Sequence, residues 1–187
     1  FMNEIKIPEK VILKEPAFFE MIIGSAEVFH QECFGLLLGY KAEGVIIVED
    51  AQVVQSARRT PYHVEPVAKR IKRIEKLIKS MGMEYKILGD FHSHTQIGAD
   101  PARPIPSGED IEDMIPGNLY LIIAINYLKE KDIIWFYSKE EKILKGSLEN
   151  FLFEISAYYS FGENRYKKID IKCPFAQSLE PYRHEKK

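Results

Sequence analysis

The sequence predicts a single-domain α/β or α+β sandwich. Three observations support this. Helix-periodic segments alternate with short apolar runs of strand length. The best amphipathic helix feeds a strand that runs directly into two histidines. The chain has 187 residues, 45% hydrophobic and 29% charged, enough for one core that needs no covalent staples.

Lys10 to Lys14 has the look of a short strand. Pro16 suits a first helical position, and Phe18, Phe19, Ile22, Ile23, Ala26 and Phe29 follow at helical spacing, so a helix is expected over 16–30. Phe34 to Tyr40, Val45 to Val48 and Gln52 to Val54 are strand candidates separated by turn signals. Ser56 to Glu65 is expected to be a loop. Pro66 opens the clearest helix, with Val67, Ile71, Ile74, Ile78 and Met81 as its apolar stripe. Lys69, Arg70, Lys72, Arg73, Lys76 and Lys79 fall off that stripe, and a solvated face is the preferred reading over an acidic partner. Gly82 ends the helix, and Tyr85 to Phe91 forms a strand. After a Pro- and Gly-containing loop from Thr95 to Pro106, Ser107 is placed to cap a helix starting at Gly108, with Asp110 in the capping-box position. Leu119 to Ala124 and Ile133 to Tyr137 are core strands, and Phe151 to Tyr159 can pair with Tyr166 to Cys173. The expected domain covers 2–173, followed by a polar, frayed tail over 174–187.

Composition narrows the function. A net charge of −2 argues against a nucleic-acid partner. The longest apolar run, Leu119 to Leu128, is too short to span a membrane, and the N-terminus has no signal-peptide pattern. Phe1, ahead of Met2, is taken as a residue left by cloning. Two distant cysteines, Cys33 and Cys173, exclude a disulfide framework and fit a reducing, cytoplasmic location.

His92 and His94 lie one residue apart at a strand end, so both imidazoles can point to one side and reach a single ion. Asp110, in the first turn of the next helix, can add a carboxylate and leave a fourth position for water, as catalytic zinc requires. Non-heme iron uses a similar set, and a His-x-His pair alone is only moderately specific. Glu32, taken alone, is best described as an exposed helix-terminal carboxylate.

Three motifs in order change that reading: Glu32-x-x-Gly-Leu-Leu-x-Gly39, Gly89-x-x-His-Ser-His94 and Pro106-Ser-x-x-Asp110. Together they resemble the JAMM, or MPN+, metalloprotease family, from the first helix through about Tyr137. The resemblance implies a cytidine-deaminase-like α/β sandwich, with zinc held by His92, His94 and Asp110. It implies that Glu32 activates a metal-bound water and that Ser107 stabilises the tetrahedral intermediate. The implied substrate is a ubiquitin-like protein with an extended Gly-Gly tail. A sulfur-carrier protein is the alternative substrate, and a non-catalytic scaffold the alternative role. The chain has Thr95 where the family often has proline. Fifteen residues separate His94 from Asp110, more than in compact versions. The surplus, Gln96 to Pro104, is a candidate flap, and Asp100 is the fallback third ligand. A zinc deaminase is disfavoured because no Pro-Cys-x-x-Cys pair is present. Oligomeric state is not legible.

Overall fold

A computed structural model describes residues 6–129 and 131–180. Its strands are β1 (Lys10–Leu13), β2 (Phe34–Ala42), β3 (Val45–Val53), β4 (Arg58–Arg59), β5 (Val64–Glu65), β6 (Lys86–Thr95), β7 (Leu119–Tyr127), β8 (Phe136–Ser138), β9 (Ile143–Leu148), β10 (Phe151–Gly162) and β11 (Arg165–Lys172). Its helices are α1 (Glu15–Glu27), α2 (Ala68–Ser80), α3 (Gly108–Asp113) and α4 (Pro174–Ser178).

Nine strands form one mixed sheet in the order β11-β1-β3-β2-β6-β7-β10-β9-β8. β11 also pairs with β10, so seven of the strands close into a barrel-like ring. The long β10 makes this closure possible. One of its edges pairs with β9 along 151–155 and with β11 from Ala157 onward, while β7 covers its other edge. The fold is therefore mixed α/β with a closed sheet.

β7 explains why the continuous apolar run Leu119–Ile125 belongs here: every residue of the strand except Tyr127 is buried. Alternate side chains face opposite ways. Leu119, Leu121, Ile123 and Ile125 join the main core with Phe91, Phe153 and Ile155. Tyr120 and Ile122 pack on the other face with Met114 and Tyr158. A strand covered on both faces needs apolar residues throughout.

α1 lays Phe18, Met21 and Ile22 into the main core, with the Phe18 ring edge-on to Trp135 at 5.0 Å. Phe19 and Ile23, expected on its buried stripe, are 59% and 50% exposed. Apolar residues surround this helix, so periodicity alone does not select the inward face. The expected loop over 56–65 holds the β4–β5 hairpin, whose turn is closed by the Thr60 hydroxyl accepting from the backbone N–H of Tyr62 and His63. The expected strand over 133–137 is reduced to β8, and β9 was not expected at all. Its Lys145-Gly146-Ser147 centre lacks an apolar signature.

The expected polar tail starts differently. Residues 174–178 form α4, Ala176 is fully buried, and Phe175 and Leu179 pack on the main core. Residues 181–187, with His184, lie outside the described residues. Both cysteines are buried and neither forms a disulfide. Among the described residues no helix is long and apolar enough to cross a membrane.

Candidate metal centre

β6 carries the histidines inside the sheet rather than beyond its end. It pairs antiparallel with β2 (Phe34 opposite His92) and parallel with β7 (His92 opposite Ile122, His94 opposite Ala124). Two motif glycines allow this close packing. A Cβ on Gly35 would collide with the Phe91 ring, and one on Gly89 with the Leu119 carbonyl. Ser93, between the histidines, faces the other way and is fully buried. Its hydroxyl accepts from the Cys33 N–H at 2.8 Å, and its own N–H donates to the Cys33 carbonyl at 3.0 Å. β6 is thereby locked to the residue that follows Glu32.

His92 Nε2 lies 3.1 Å from His94 Nε2. Asp110 Oδ1 is 3.3 Å from His92 Nε2, and Oδ2 is 3.6 Å from His94 Nε2. A tetrahedral zinc with bonds of about 2.0–2.1 Å needs ligand atoms about 3.3–3.4 Å apart, so the three side chains fit it. Arg103 supplies outer support: its carbonyl lies 2.9 Å from His94 Nδ1, which turns that nitrogen into the donor and leaves Nε2 free for a metal. α3 positions the carboxylate through the predicted capping box, with Ser107 N–H to Asp110 Oδ2 at 2.6 Å and Asp110 N–H to Ser107 Oγ at 3.1 Å. Asp100, the fallback ligand, lies outside this group.

The electrostatics agree with a cation site. Burial alone would raise the Asp110 carboxyl, but hydrogen bonds from His92, His94 and the Ser107 N–H hold it far below the usual carboxylate range. Burial alone would lower His94, yet Asp110, the Arg103 carbonyl and Glu32 raise it. Glu32 is 8% exposed, not the exposed helix-end carboxylate that its sequence context alone suggests. Burial pushes it up to about 7, with His94 opposing and Asp110 and Glu109 adding to the rise.

Three polar contacts fix the Glu32 segment. Its own N–H donates to the Thr60 carbonyl at 3.0 Å, Cys33 is held by Ser93, and the His30 N–H donates to the Thr95 hydroxyl at 3.1 Å. Thr95, the departure from the family pattern, thus ties the end of β6 to the turn before Glu32. Asp90 escaped the sequence reading. It sits two residues before His92 on the same strand face, lines the same groove, and is pushed up to about 8 by burial and by Asp110 and Asp113. Alternation backward from the histidines is the signal that would have found it.

The site opens into a groove of about 830 Å³. One wall is the segment 97–105. It is not a free flap: Ala102 makes two hydrogen bonds to the Asn126 side chain, and the Pro104 carbonyl accepts from the Tyr158 hydroxyl at 2.7 Å. The other wall is the β4–β5 hairpin and α2, with Tyr62, Val64 and Ile71 facing the groove. His63 reaches across to Glu109 at 3.1 Å.

A closed mixed sheet with a two-histidine, one-aspartate cage at its groove defines an α/β domain of the JAB/MPN type. The chain belongs to the prokaryotic homologs of the JAB domain, whose family pattern matches residues 15–137. Among solved structures it is similar to the solution structure of a protein from Desulfitobacterium hafniense. The TM-score is 0.60 at 22% identity, over 87% of this chain and 92% of that one. That likeness concerns the fold. No curated protein matches the chain.

Proposed function

We propose that this protein is a zinc-dependent peptidase that hydrolyses the amide bond after the extended C-terminal tail of a ubiquitin-like or sulfur-carrier protein. The observation that carries the proposal is the zinc-sized cage of His92, His94 and Asp110 sharing one groove with a buried Glu32. Zinc held there would acidify water and polarise the scissile carbonyl.

The chain's own residues supply the rest. Glu32, raised towards neutrality by burial, accepts the proton of the attacking water and returns it to the leaving amine. The Ser107 oxygen already accepts from the Asp110 N–H, so its hydroxyl proton is free to donate to the developing oxyanion. The Arg103 carbonyl orients the His94 imidazole through Nδ1. An extended tail can lie in the groove beside the short β4–β5 sheet, with main-chain hydrogen bonds giving register. We take the closed sheet as a form of the cytidine-deaminase-like sandwich that the motifs imply, in a cytoplasmic protein of one domain.

The test is zinc per chain by elemental analysis, followed by a panel of isopeptide-linked and linear fusions of ubiquitin-like and sulfur-carrier proteins. The expected result is about one zinc and release of the free tail. Full zinc with no cleavage of any fusion would replace the enzyme with a scaffold. No retained zinc would sink the metal assignment.

A further inference from the structure

Helix α2 carries charge that the fold does not use. Six of its residues are cationic and only Glu75 is anionic, a net +5; the whole chain is −2, which leaves −7 on everything else. All six cations are exposed, and among the described residues none forms an ion pair. Their placement works against the helix. Lys69 and Arg70 stand in the first turn, at the positive end of the dipole, with no acidic residue there and no side-chain cap. Lys69–Arg73 and Lys72–Lys76 are like-charge pairs one turn apart, which weaken a helix. No residue of α2 is fully buried. Packing therefore does not explain the charge, and only Lys79, in the last turn, suits the helix dipole.

The position of the helix suggests what does. Ile71 and Ile74 rest on Phe34 and Leu36, and Ile71 and Glu75 line the groove that holds the metal cage. The cations occupy the opposite, outward side of the helix. At the C-terminal end the basic face borders exposed Leu77 and Met81. The helix offers no aromatic residue on which a base could stack. A small protein with an acidic patch for the basic face and an apolar contact for Leu77 and Met81 fits this helix.

Resting on the peptidase reading above, we infer that the outward face of α2 docks the acidic body of the protein whose tail occupies the groove, and so selects acidic substrates.

The test uses the full chain and its Lys69→Gln/Lys72→Gln/Lys76→Gln/Lys79→Gln variant, with a melting temperature no lower than that of wild type as the folding control. The probe is a fluorescent, negatively charged sulfur-carrier protein with and without its terminal Gly-Gly. Wild type should bind both forms, and should lose about tenfold in affinity between low and moderate salt. The variant should bind at least about tenfold more weakly. In parallel, the variant should cleave a carrier-protein fusion with kcat/KM reduced by a similar factor, yet cleave a short Gly-Gly tail peptide amide normally. Docking lost in the variant but no cleavage by wild type would sink the peptidase reading and leave the docking face standing. Cleavage of the fusion at an unchanged kcat/KM by the variant would overturn the docking face alone. So would absence of carrier binding, or stronger α2-dependent binding of a DNA duplex or of phosphatidylglycerol vesicles.

Discussion

The two walls of the groove are built differently. On one side His92 and His94 ride on β6, between β2 and β7, and Ser93, Thr95 and Arg103 hold the surrounding backbone. On the other, the two-residue strands of the hairpin and the unburied α2 rest on a small cluster led by Phe34 and Leu36. Chemistry needs ligand atoms fixed to fractions of an ångström, and that rigidity comes from a strand paired along both edges. Recognition of a partner tolerates, and uses, a wall with little local stability. The same groove thus joins a fixed half to an adjustable half.

The sharpest way to break this contrast is to remove the cage. Asp110→Ala should take zinc from about one per chain to none and reduce cleavage to background, while the fold persists because α3 is short and peripheral. Retention of zinc by this variant would mean that another group completes the site. Glu32→Gln comes next: turnover should fall by about 10²–10⁴ with zinc retained. The same substitution has an opposite effect on the metal-free protein. The folded carboxyl titrates near 7 against 4.5 in the ordinary state, so the folded chain binds the extra proton, and stability is lost as pH rises through that window. Glutamine removes the penalty. Metal-free Glu32→Gln should therefore melt higher than metal-free wild type at pH 8, by roughly 2 kcal/mol, with no difference at pH 4. Equal melting temperatures at pH 8 would show that Glu32 is not strained by its burial.

Packing separates the walls by a smaller amount. Ile123 is fully buried in β7, so Ile123→Ala should cost about 3–4 kcal/mol in denaturant unfolding. Ile74→Ala, on the half-exposed face of α2, should cost about 1 kcal/mol or less. Similar costs for the two would remove the distinction between the fixed and adjustable halves.

The sequence showed one wall better than the other. The cage was legible because its elements carry local signals: a capping box at Ser107, a histidine pair with strand spacing, and an apolar run at Leu119. The position of Glu32 could not be read this way. Its burial comes from pairing of β2 with β6 and from contacts at Thr60 and Ser93, all distant in sequence, so only the family motif pointed to it. Ring closure was equally invisible, since it depends on the length of β10 and the docking of β11 on β1. The β4–β5 hairpin has only two residues per strand, below the length at which alternation can be detected. The surplus loop over 96–104 resembled a flap because its anchors, Asn126 and Tyr158, lie in later strands.

Thr95 offers the finest test, because it joins the fixed wall to the turn before Glu32. Its hydroxyl accepts from the N–H of His30, a non-glycine residue held at φ 83°, where a side chain is rarely at ease. A proline at 95 would provide no such acceptor. Thr95→Val keeps the shape and β-branching but leaves that N–H without its partner. The turn can then relax, and Glu32 loses its alignment with the cage. We expect kcat to fall about fivefold, near 1 kcal/mol, with KM for a short tail peptide and zinc content unchanged. Thr95→Ser, which retains the hydroxyl, should recover most of the rate. If Thr95→Val instead lowers the melting temperature while kcat stays at the wild-type value, the bond serves the fold only, and Glu32 is placed by Thr60 and Ser93 without it.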